Sequence, residues 1–409
     1  MSETILRARW VWPISGPPID NGAVRITNGL IQEVGAYGAV SAGQDAITRD
    51  LGEVVLMPGL VNAHCHLDYT NMAGLIAPPK EFPDWIKAIL ALKAHWSYTE
   101  YAASWMTGAK QLLDSGCTSV GDVEAVPELL PEAWEATPLR VVSFLEMTGV
   151  RSAQEPERIL AEARRELARL PRSDRHRPAL SPHALYSTPP ELLRLVAATM
   201  DSPTAIHLAE SEAEFQMYQN ASGPLYSWLK TQRAMDDCGG RSPVQQADWL
   251  GLLQEKLLAI HCNYLAPGDA ELLARGGCTV VHCPRSHDYF KHGRFPFEEL
   301  AAAGVNIAIA TDSLASVRAT ANRSPTLNLW EEIRQFAQSH PSVSTESILE
   351  MVTRNAAAAL EINAGTLEPG RFADLIAVEA PSSHWRPSAL LETEPVITER
   401  FIAGQSLAP

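Results

Sequence analysis

The sequence lacks two features that mark proteins of membranes and nucleic acids, a long hydrophobic run and an excess of positive charge. No uninterrupted apolar stretch among its 409 residues is long enough to cross a bilayer. Lysine and arginine total 33 against 48 aspartates and glutamates, which gives a net charge of −15. Because such a surface repels phosphate groups and anionic lipid, the sequence predicts neither a membrane nor a nucleic-acid partner.

The first residues also lack the basic segment and the apolar core of a secretory signal, so the chain is expected to stay in the cytoplasm. Cysteine is scarce, and no C-x-x-C pair occurs. Scattered cysteines of this kind are interpreted as small buried hydrophobic residues rather than as redox or metal-binding groups. The six are Cys65, Cys117, Cys238, Cys262, Cys278 and Cys283.

Eight short apolar runs, rich in β-branched residues, each lead to a residue that can bind a metal or move a proton. Segments with helical periodicity lie between the runs, such as 189–198, 270–275 and 297–303. Strands that alternate with helices form a parallel sheet, and eight of them predict an α/β fold, a closed (β/α)8 or TIM barrel. In chain order the runs lead to His64 with His66, Asp122, Glu146, His183, His207, His261, His282 and Asp312.

The position of these polar residues favours a functional site. All of them fall at strand ends, on the barrel face where enzymes of this architecture place their catalytic groups. His64 and His66 are separated by one residue, and on a strand such residues share a face and can grip one cation. A pair of ordinary polar histidines is the alternative for this motif alone.

Both ends of the chain alternate between apolar and polar residues, which is typical of strands. The pattern covers 23–26 and 29–35 near the start and 373–378 and 396–403 near the end. We therefore expect a small composite β-sandwich from residues 1–56 with 366–409, and a barrel from residues 57–365.

Several motifs together resemble the amidohydrolase superfamily over nearly the whole chain. The segment 57–66 (MPGLVNAHCH) resembles the opening motif of that superfamily, and the segment 365–375 (GTLEPGRFADL) its closing motif. The motifs that begin at His207, His261, His282 and Asp312 resemble the mononuclear branch. That branch includes adenosine, S-adenosylhomocysteine, aminodeoxyfutalosine, guanine and cytosine deaminases, together with triazine chlorohydrolases.

The number of metal ions follows from a missing lysine. Binuclear relatives bridge two metals with a carbamylated lysine on strand 4, but here that strand ends at His183, and no lysine lies between Lys110 and Lys230. One divalent metal is therefore favoured, zinc first and iron second, with water in the open position. The resemblance implies that its ligands are His64, His66, His207 and Asp312.

Three residues are assigned to catalysis. Glu210 would take the proton released by water and deliver it to a ring nitrogen of the substrate, whereas a carboxylate at a helix start is its structural alternative. His261 would orient and polarise the hydroxide. Asp312 would help to pass protons toward departing ammonia. For Asp122 we prefer a hydrogen-bonding role in the barrel mouth.

Five further residues are predicted to contact substrate: Trp85, Glu146, His183, His282 and Arg285. Trp85 belongs to the long loop 67–98 after the first strand, where an indole can pack on a planar ring. Its alternative is a core tryptophan that holds the loop down, and the alternative for the two histidines is a hydrogen-bonded structural role. The bulky, charged segment 285–292 departs from the pattern expected of S-adenosylhomocysteine deaminases.

The expected function is a metal-dependent hydrolytic deaminase that releases ammonia from an adenine-bearing nucleoside or a related amino-heterocycle. An aminodeoxyfutalosine-like molecule is the favoured substrate. The alternatives are a chlorohydrolase or cyclic-amide hydrolase of the same superfamily, and a non-enzymatic scaffold, against which the intact ligand set argues. The expected partners are a small-molecule amino-heterocycle and water, and the relatives suggest a homodimer.

Overall fold

The computed structural model describes residues 3–41, 43, 46–150, 152, 154–319, 324–380 and 384–407. Its strands are β1 (Glu3–Val11), β2 (Ile19–Thr27), β3 (Leu30–Ala36), β4 (Ile47–Asp50), β5 (Val54–Pro58), β6 (Leu60–Cys65), β7 (Cys117–Glu124), β8 (Arg140–Met147), β9 (His176–Pro182), β10 (Thr204–Leu208), β11 (Leu257–His261), β12 (Thr279–His282), β13 (Asn306–Ile309), β14 (Leu375–Glu379), β15 (Ile397–Ile402) and β16 (Gln405–Ser406).

Its α-helices are α1 (Phe82–Lys93), α2 (Tyr98–Asp114), α3 (Leu130–Ala136), α4 (Pro156–Arg169), α5 (Pro190–Ala197), α6 (Glu212–Asn220), α7 (Gly223–Leu229), α8 (Pro243–Trp249), α9 (Asp269–Gly276), α10 (Pro284–Tyr289), α11 (Phe297–Ala302), α12 (Leu329–Ser339), α13 (Thr345–Met351), α14 (Arg354–Ala359) and α15 (Ala389–Glu392). Short 3-10 helices cover Leu67–Met72, Pro127–Leu129 and Leu314–Ser316. No helix within these described ranges combines the length and the apolar character that a membrane span needs.

Strands β6 to β13 form one parallel sheet in the order of the sequence. Every residue of β10, β11 and β12 is buried, because helices cover the outer face of the sheet and side chains fill its interior. The predicted helices correspond to α5, α9 and α11. The prediction of a (β/α)8 barrel is confirmed.

The barrel closes between its first and last strands with the help of a side chain. Asn62 on β6 accepts a hydrogen bond from the backbone N–H of Thr311 at 3.0 Å and donates one to the hydroxyl of Thr311 at 2.7 Å. The backbone N–H of Asp312 donates to the carbonyl of His64 at 3.2 Å. These bonds place Asp312, which comes shortly after β13, beside the end of β6.

The two ends of the chain form a second sheet, in the order β16-β15-β14-β5-β1-β2-β3, with β4 also paired to β1. The turn before β14 bonds back to β3, since Ile31 donates to the carbonyl of Arg371 and accepts from Gly370, both at 2.8 Å. The sheet therefore curls around its own apolar core. A β unit built from both termini is confirmed, whereas the boundaries 1–56, 366–409 and 57–365 stay predictions, with residues 1, 2, 408 and 409 outside the described part.

The terminal sheet is fixed to the barrel at the amino ends of the barrel strands. Gly59 separates β5 from β6, and a Cβ at this position would lie 2.2 Å from the Thr118 side chain, so the close approach requires glycine. Arg140, the first residue of β8, forms a buried ion pair with Asp374, which also accepts the N–H of Ala403 at 2.8 Å. A buried pair needs such additional bonds to offset its loss of hydration. The other end of the barrel stays open.

Two sequence-based expectations need correction. The segment 67–98 is not an irregular loop, because it contains the first 3-10 helix and α1. The helix α1 starts at Phe82-Pro83, and buried Phe82 and Ile89 anchor it. The cysteines are free, as expected, and five of them are buried, but Cys238 is partly exposed.

Candidate active site

Three imidazoles meet where two barrel strands end. His64 lies near the end of β6, His66 follows that strand, and His207 lies near the end of β10. One ring nitrogen of each lies within 4.8 Å of the other two, and Nε2 of His66 is 3.4 Å from Nε2 of His207. Among the described residues, these three His side chains lie close enough together to hold one metal ion.

The lowered pKa values of His66 and His207 suit a metal site, because a neutral imidazole is the form that binds metal. Burial lowers the pKa of His66 to about 3, and the neighbouring His64 adds to this shift. Burial also holds the pKa of His207 well below its usual value. The Nδ1 of His207 donates to the carbonyl of His183 at 2.8 Å, so its Nε2 remains a lone-pair donor. The Nε2 of His64 is buried and has no hydrogen-bond partner in the described structure, as a metal ligand would.

Asp312 adds a carboxylate to this group. Its Oδ1 lies 3.4 Å from Nε2 of His64 and 3.8 Å from Nε2 of His66. Burial alone would raise the pKa of Asp312, but the neighbouring His64 and other imidazoles outweigh that effect and hold it well below its usual range. The second oxygen accepts from the hydroxyls of Ser286 at 2.7 Å and Ser316 at 3.1 Å. The carboxylate is thus ionised and held in one orientation.

Glu210 and His261 face each other beside the imidazoles, with Oε1 and Nε2 3.5 Å apart. Burial raises the pKa of Glu210 well above its usual value, and the negative charges of Asp312 and Glu214 add to the shift. Burial lowers the pKa of His261 to about 3. The site therefore pairs a carboxyl group whose pKa is raised with an imidazole whose pKa is lowered, and groups shifted in this way are suited to a proton-transfer step.

The backbone of Glu210 is held from both sides. Glu214 on α6 accepts from the N–H of Ala209 at 3.2 Å and from the N–H of Glu210 at 2.9 Å. The amide of Asn263 donates to the carbonyl of Glu210 at 2.9 Å. Because these bonds fix the main chain, the Glu210 side chain leaves the strand end in a defined direction.

The backbone at these strand ends is strained. Ala209, His261, Cys262 and Asp312 adopt positive φ angles of 50°, 78°, 48° and 54°. Residues other than glycine rarely adopt the left-handed region, and the cost is of order 1–3 kcal/mol each. Such strain persists only where the surrounding structure imposes it, and here it coincides with the residues that converge on one point.

A cavity of about 390 Å³ opens over the group. His66, His207, Glu210, His261 and Asp312 line its floor. The walls are mainly apolar, and α1 and α7 supply much of them. The apolar wall residues include Trp85, Ile86, Ile89, Leu90, Trp228 and Leu229. The size and lining suit a small planar molecule.

Three of the residues predicted to contact substrate line this cavity, namely Trp85, Glu146 and His183. Trp85 also donates its indole N–H to the carbonyl of Ala315 at 3.4 Å, so it holds the loop as well as lining the wall. His183 bonds through Nδ1 to the Ser187 hydroxyl at 2.7 Å.

The structure does not bring His282 and Arg285 to the cavity, whose described lining includes neither residue. The His282 ring stacks on Phe295, with centroids 3.8 Å apart. Arg285 forms ion pairs with Glu331 and Glu332 on α12. Asp122 is also away from the cavity, and it accepts bonds from the Leu67 N–H and the Trp105 indole (3.0 and 2.9 Å).

The sequence reasoning missed Tyr69 and Lys93, which both line the cavity. Tyr69 stacks on His66, with ring centroids 5.0 Å apart. Lys93 is the last residue of α1, eight positions after Trp85 and four after Ile89. Positions i, i+4 and i+8 share one helix face, so recognising α1 as a helix would have identified Lys93.

Known proteins resemble this chain in sequence and fold. A 5-methylthioadenosine/S-adenosylhomocysteine deaminase of Nitratidesulfovibrio vulgaris (strain Miyazaki F) is 30% identical over 387 residues, covering 90% of this chain and 82% of the relative. An aminodeoxyfutalosine deaminase of Deinococcus radiodurans is 30% identical over 316 residues, covering 73% and 72%. The crystal structure of a Xanthomonas campestris adenosine deaminase with bound zinc has a TM-score of 0.84 at 24% identity, covering 99% and 92%.

The family assignment rests on a match over most of the chain. Residues 55–405 fit the model of the amidohydrolase family, a span that includes the whole barrel and the C-terminal strands β14 and β15. The convergence of imidazoles and carboxyl groups at the barrel mouth is consistent with that match. The chain belongs to the amidohydrolase family.

Proposed function

We propose that the chain is a metal-dependent hydrolytic deaminase that releases ammonia from an adenine-bearing nucleoside or a related amino-heterocycle. The observation that carries the proposal is the position of Glu210, whose pKa burial raises, beside Asp312 and the imidazoles of His66, His207 and His261, whose pKa values burial lowers, in one cavity with aromatic walls. The names of the two relatives, both deaminases of nucleosides, support the same reaction class.

His64, His66, His207 and Asp312 are the residues that would hold the metal. Three imidazoles and one carboxylate suit zinc, with ferrous iron as the second choice. A divalent ion at this position makes hydroxide available from water at neutral pH.

The side chains around it provide the proton transfers. Water adds to the ring carbon that carries the amino group, while Glu210 donates its proton to the adjacent ring nitrogen. Asp312, rather than Glu210 as expected from the sequence, accepts the proton that water loses, because burial raises the pKa of Glu210 whereas the pKa of Asp312 lies well below its usual range. His261 orients the attacking oxygen. Asp312 returns its proton to the amino group and the C–N bond breaks, while the added hydroxyl gives its proton back to Glu210, so that ammonia leaves and a carbonyl remains. Each transfer stays within the carboxyl groups on the cavity floor, which the hydrogen bonds described above hold in place.

The cavity walls fit a planar base. Trp85 and Trp228 lie on the walls contributed by α1 and α7, and Tyr186 lies near His183, with ring centroids 5.9 Å apart. Aromatic faces stack on flat heterocycles at little entropic cost. We also propose that the protein forms a homodimer. This proposal rests on the family resemblance alone.

Product analysis tests the reaction class. The purified protein should release ammonia from at least one adenine nucleoside in a panel that also contains guanine, cytosine and chlorinated triazines. The products should be quantified as ammonia and chloride in parallel. Chloride release without ammonia would replace the deaminase with a chlorohydrolase, and inactivity on the whole panel under metal-replete conditions would favour a scaffold.

The metal content is a separate prediction. One cluster of ligands predicts close to one equivalent of zinc or iron per chain, measured by elemental analysis after expression with added metal. A matched sample treated with chelator should lose both the metal and the ammonia release, and added zinc should restore them. Two equivalents, or activity that survives complete metal removal, would contradict the mononuclear assignment.

A further inference from the structure

One polar pair in the cavity wall has no role in the proton transfers. Lys93 ends α1 on the face that lines the cavity, and Glu146 is the next-to-last residue of β8. The Lys93 ammonium donates to the Tyr69 hydroxyl and lies 3.9 Å from Oε1 of Glu146. Their side chains are 20% and 13% exposed. A cation and an anion thus share one side of a mainly apolar cavity.

Glu146 lacks the hydrogen bonds that two buried carboxylates, Asp122 and Glu214, accept. Each of those two carboxylates accepts two hydrogen bonds. Within the described part of the chain, Glu146 has its ion pair with Lys93 and accepts no hydrogen bond. A carboxylate that lines a cavity and accepts no hydrogen bond from the protein can accept hydrogen bonds from donor groups on a ligand.

The distance from the metal-binding imidazoles indicates which part of a ligand reaches the pair. Lys93 lies 4.8 Å from the centre of the Tyr69 ring, and that ring stacks on His66 with centroids 5.0 Å apart. The ammonium therefore lies at the hydroxyl edge of a ring whose face stacks on His66, and this sets it about one ring to the side of the imidazoles. A base whose amino carbon lies at the floor places its sugar about one ring away, beside Lys93 and Glu146.

We infer that Lys93 and Glu146 bind the vicinal hydroxyls of the substrate's sugar and so make the enzyme prefer nucleosides to substrates without that diol. A hydroxyl both donates and accepts, so a carboxylate and an ammonium side by side complement a diol. This inference rests on the proposed deaminase function. The competing explanation is structural, with the pair fixing α1 against β8.

The test compares adenosine with 2′,3′-dideoxyadenosine, which differ only in the two hydroxyls. In Glu146→Gln and Lys93→Met, kcat/KM for adenosine should fall about 10- to 100-fold, mainly through KM, because charged hydrogen bonds are lost. The rate for the dideoxy compound should stay within about threefold of the wild type. Lys93→Arg, which keeps the charge, should recover part of the loss.

Lys110→Met is the matched control, because this lysine is 75% exposed on α2 and far from the cavity. Metal content and melting temperature of each variant show whether the fold survives. If Lys93→Met does not fold, Glu146→Gln alone carries the test. An equal loss on both substrates, or no loss on either, overturns the inference. A wild type that releases no ammonia from either nucleoside overturns the inference, and inactivity on the whole panel described above overturns the proposed function as well.

Discussion

Glu210→Gln should lower the rate of ammonia release about 10²–10⁴-fold while metal content and melting temperature stay close to wild type. Glutamine has the same shape and can still bond to a ring nitrogen, but it has no proton to transfer. The clamp from Glu214 and Asn263 acts on the backbone of residue 210 and should survive the change. The measurement is a steady-state assay on the best substrate, with metal analysis of the same sample.

Glu212→Gln is the control for this variant. Glu212 lies in the first turn of α6, two residues farther along the chain, and is exposed. If Glu210 merely stabilised the helix start, both variants would keep their turnover and lose at most about 1 kcal/mol of stability. Normal ammonia release from Glu210→Gln would remove the proton transfer from the mechanism.

Asp312→Asn should reduce turnover by several orders of magnitude and weaken metal binding. The carboxylate is ionised and close to His64 and His66, and asparagine keeps its shape without the charge or the basicity. The bonds between Asn62 and Thr311 close the barrel independently of this side chain, so the fold should remain. Turnover, zinc affinity and circular dichroism measure the three effects separately.

Asp288→Asn provides the comparison, since Asp288 is exposed on α10. It should leave all three quantities unchanged. Near-normal turnover of Asp312→Asn at saturating zinc would mean that Asp312 neither binds the metal nor moves a proton. The hydrogen bonds that Ser286 and Ser316 donate to this carboxylate would then serve only the stability of the fold.

The barrel could be predicted because each of its strands is marked by a pattern within a short segment of the sequence. Buried parallel strands are continuous apolar runs, and each run led to a polar residue at the barrel mouth. The position of His261 at the barrel mouth followed from strand order, whereas the roles of Glu210 and His261 were assigned after the resemblance to the amidohydrolase superfamily. The terminal sheet could be anticipated as strands, but its curled pairing of β3 with the turn before β14 depends on contacts that no local pattern encodes.

The residues of the cavity walls could be predicted less well, because they depend on which face each helix turns toward the cavity. Lys93 was missed since α1 was expected to be a loop, so its alignment with Trp85 was not seen. His282 ends a barrel strand like the site histidines, yet its ring turns onto Phe295. Position at a strand end places the Cα atom near the mouth, and packing then decides where the ring goes.

The closure between Asn62 and Thr311 also bears on when the protein becomes functional during its synthesis. These partners are 249 positions apart in the chain. A ribosome must therefore release nearly all of the barrel before the first strand can meet the last, and contacts of such long sequence separation form slowly. Until then His64 and Asp312 belong to separate parts of the nascent chain. A metal that needs both residues as ligands would therefore bind only after the barrel has closed.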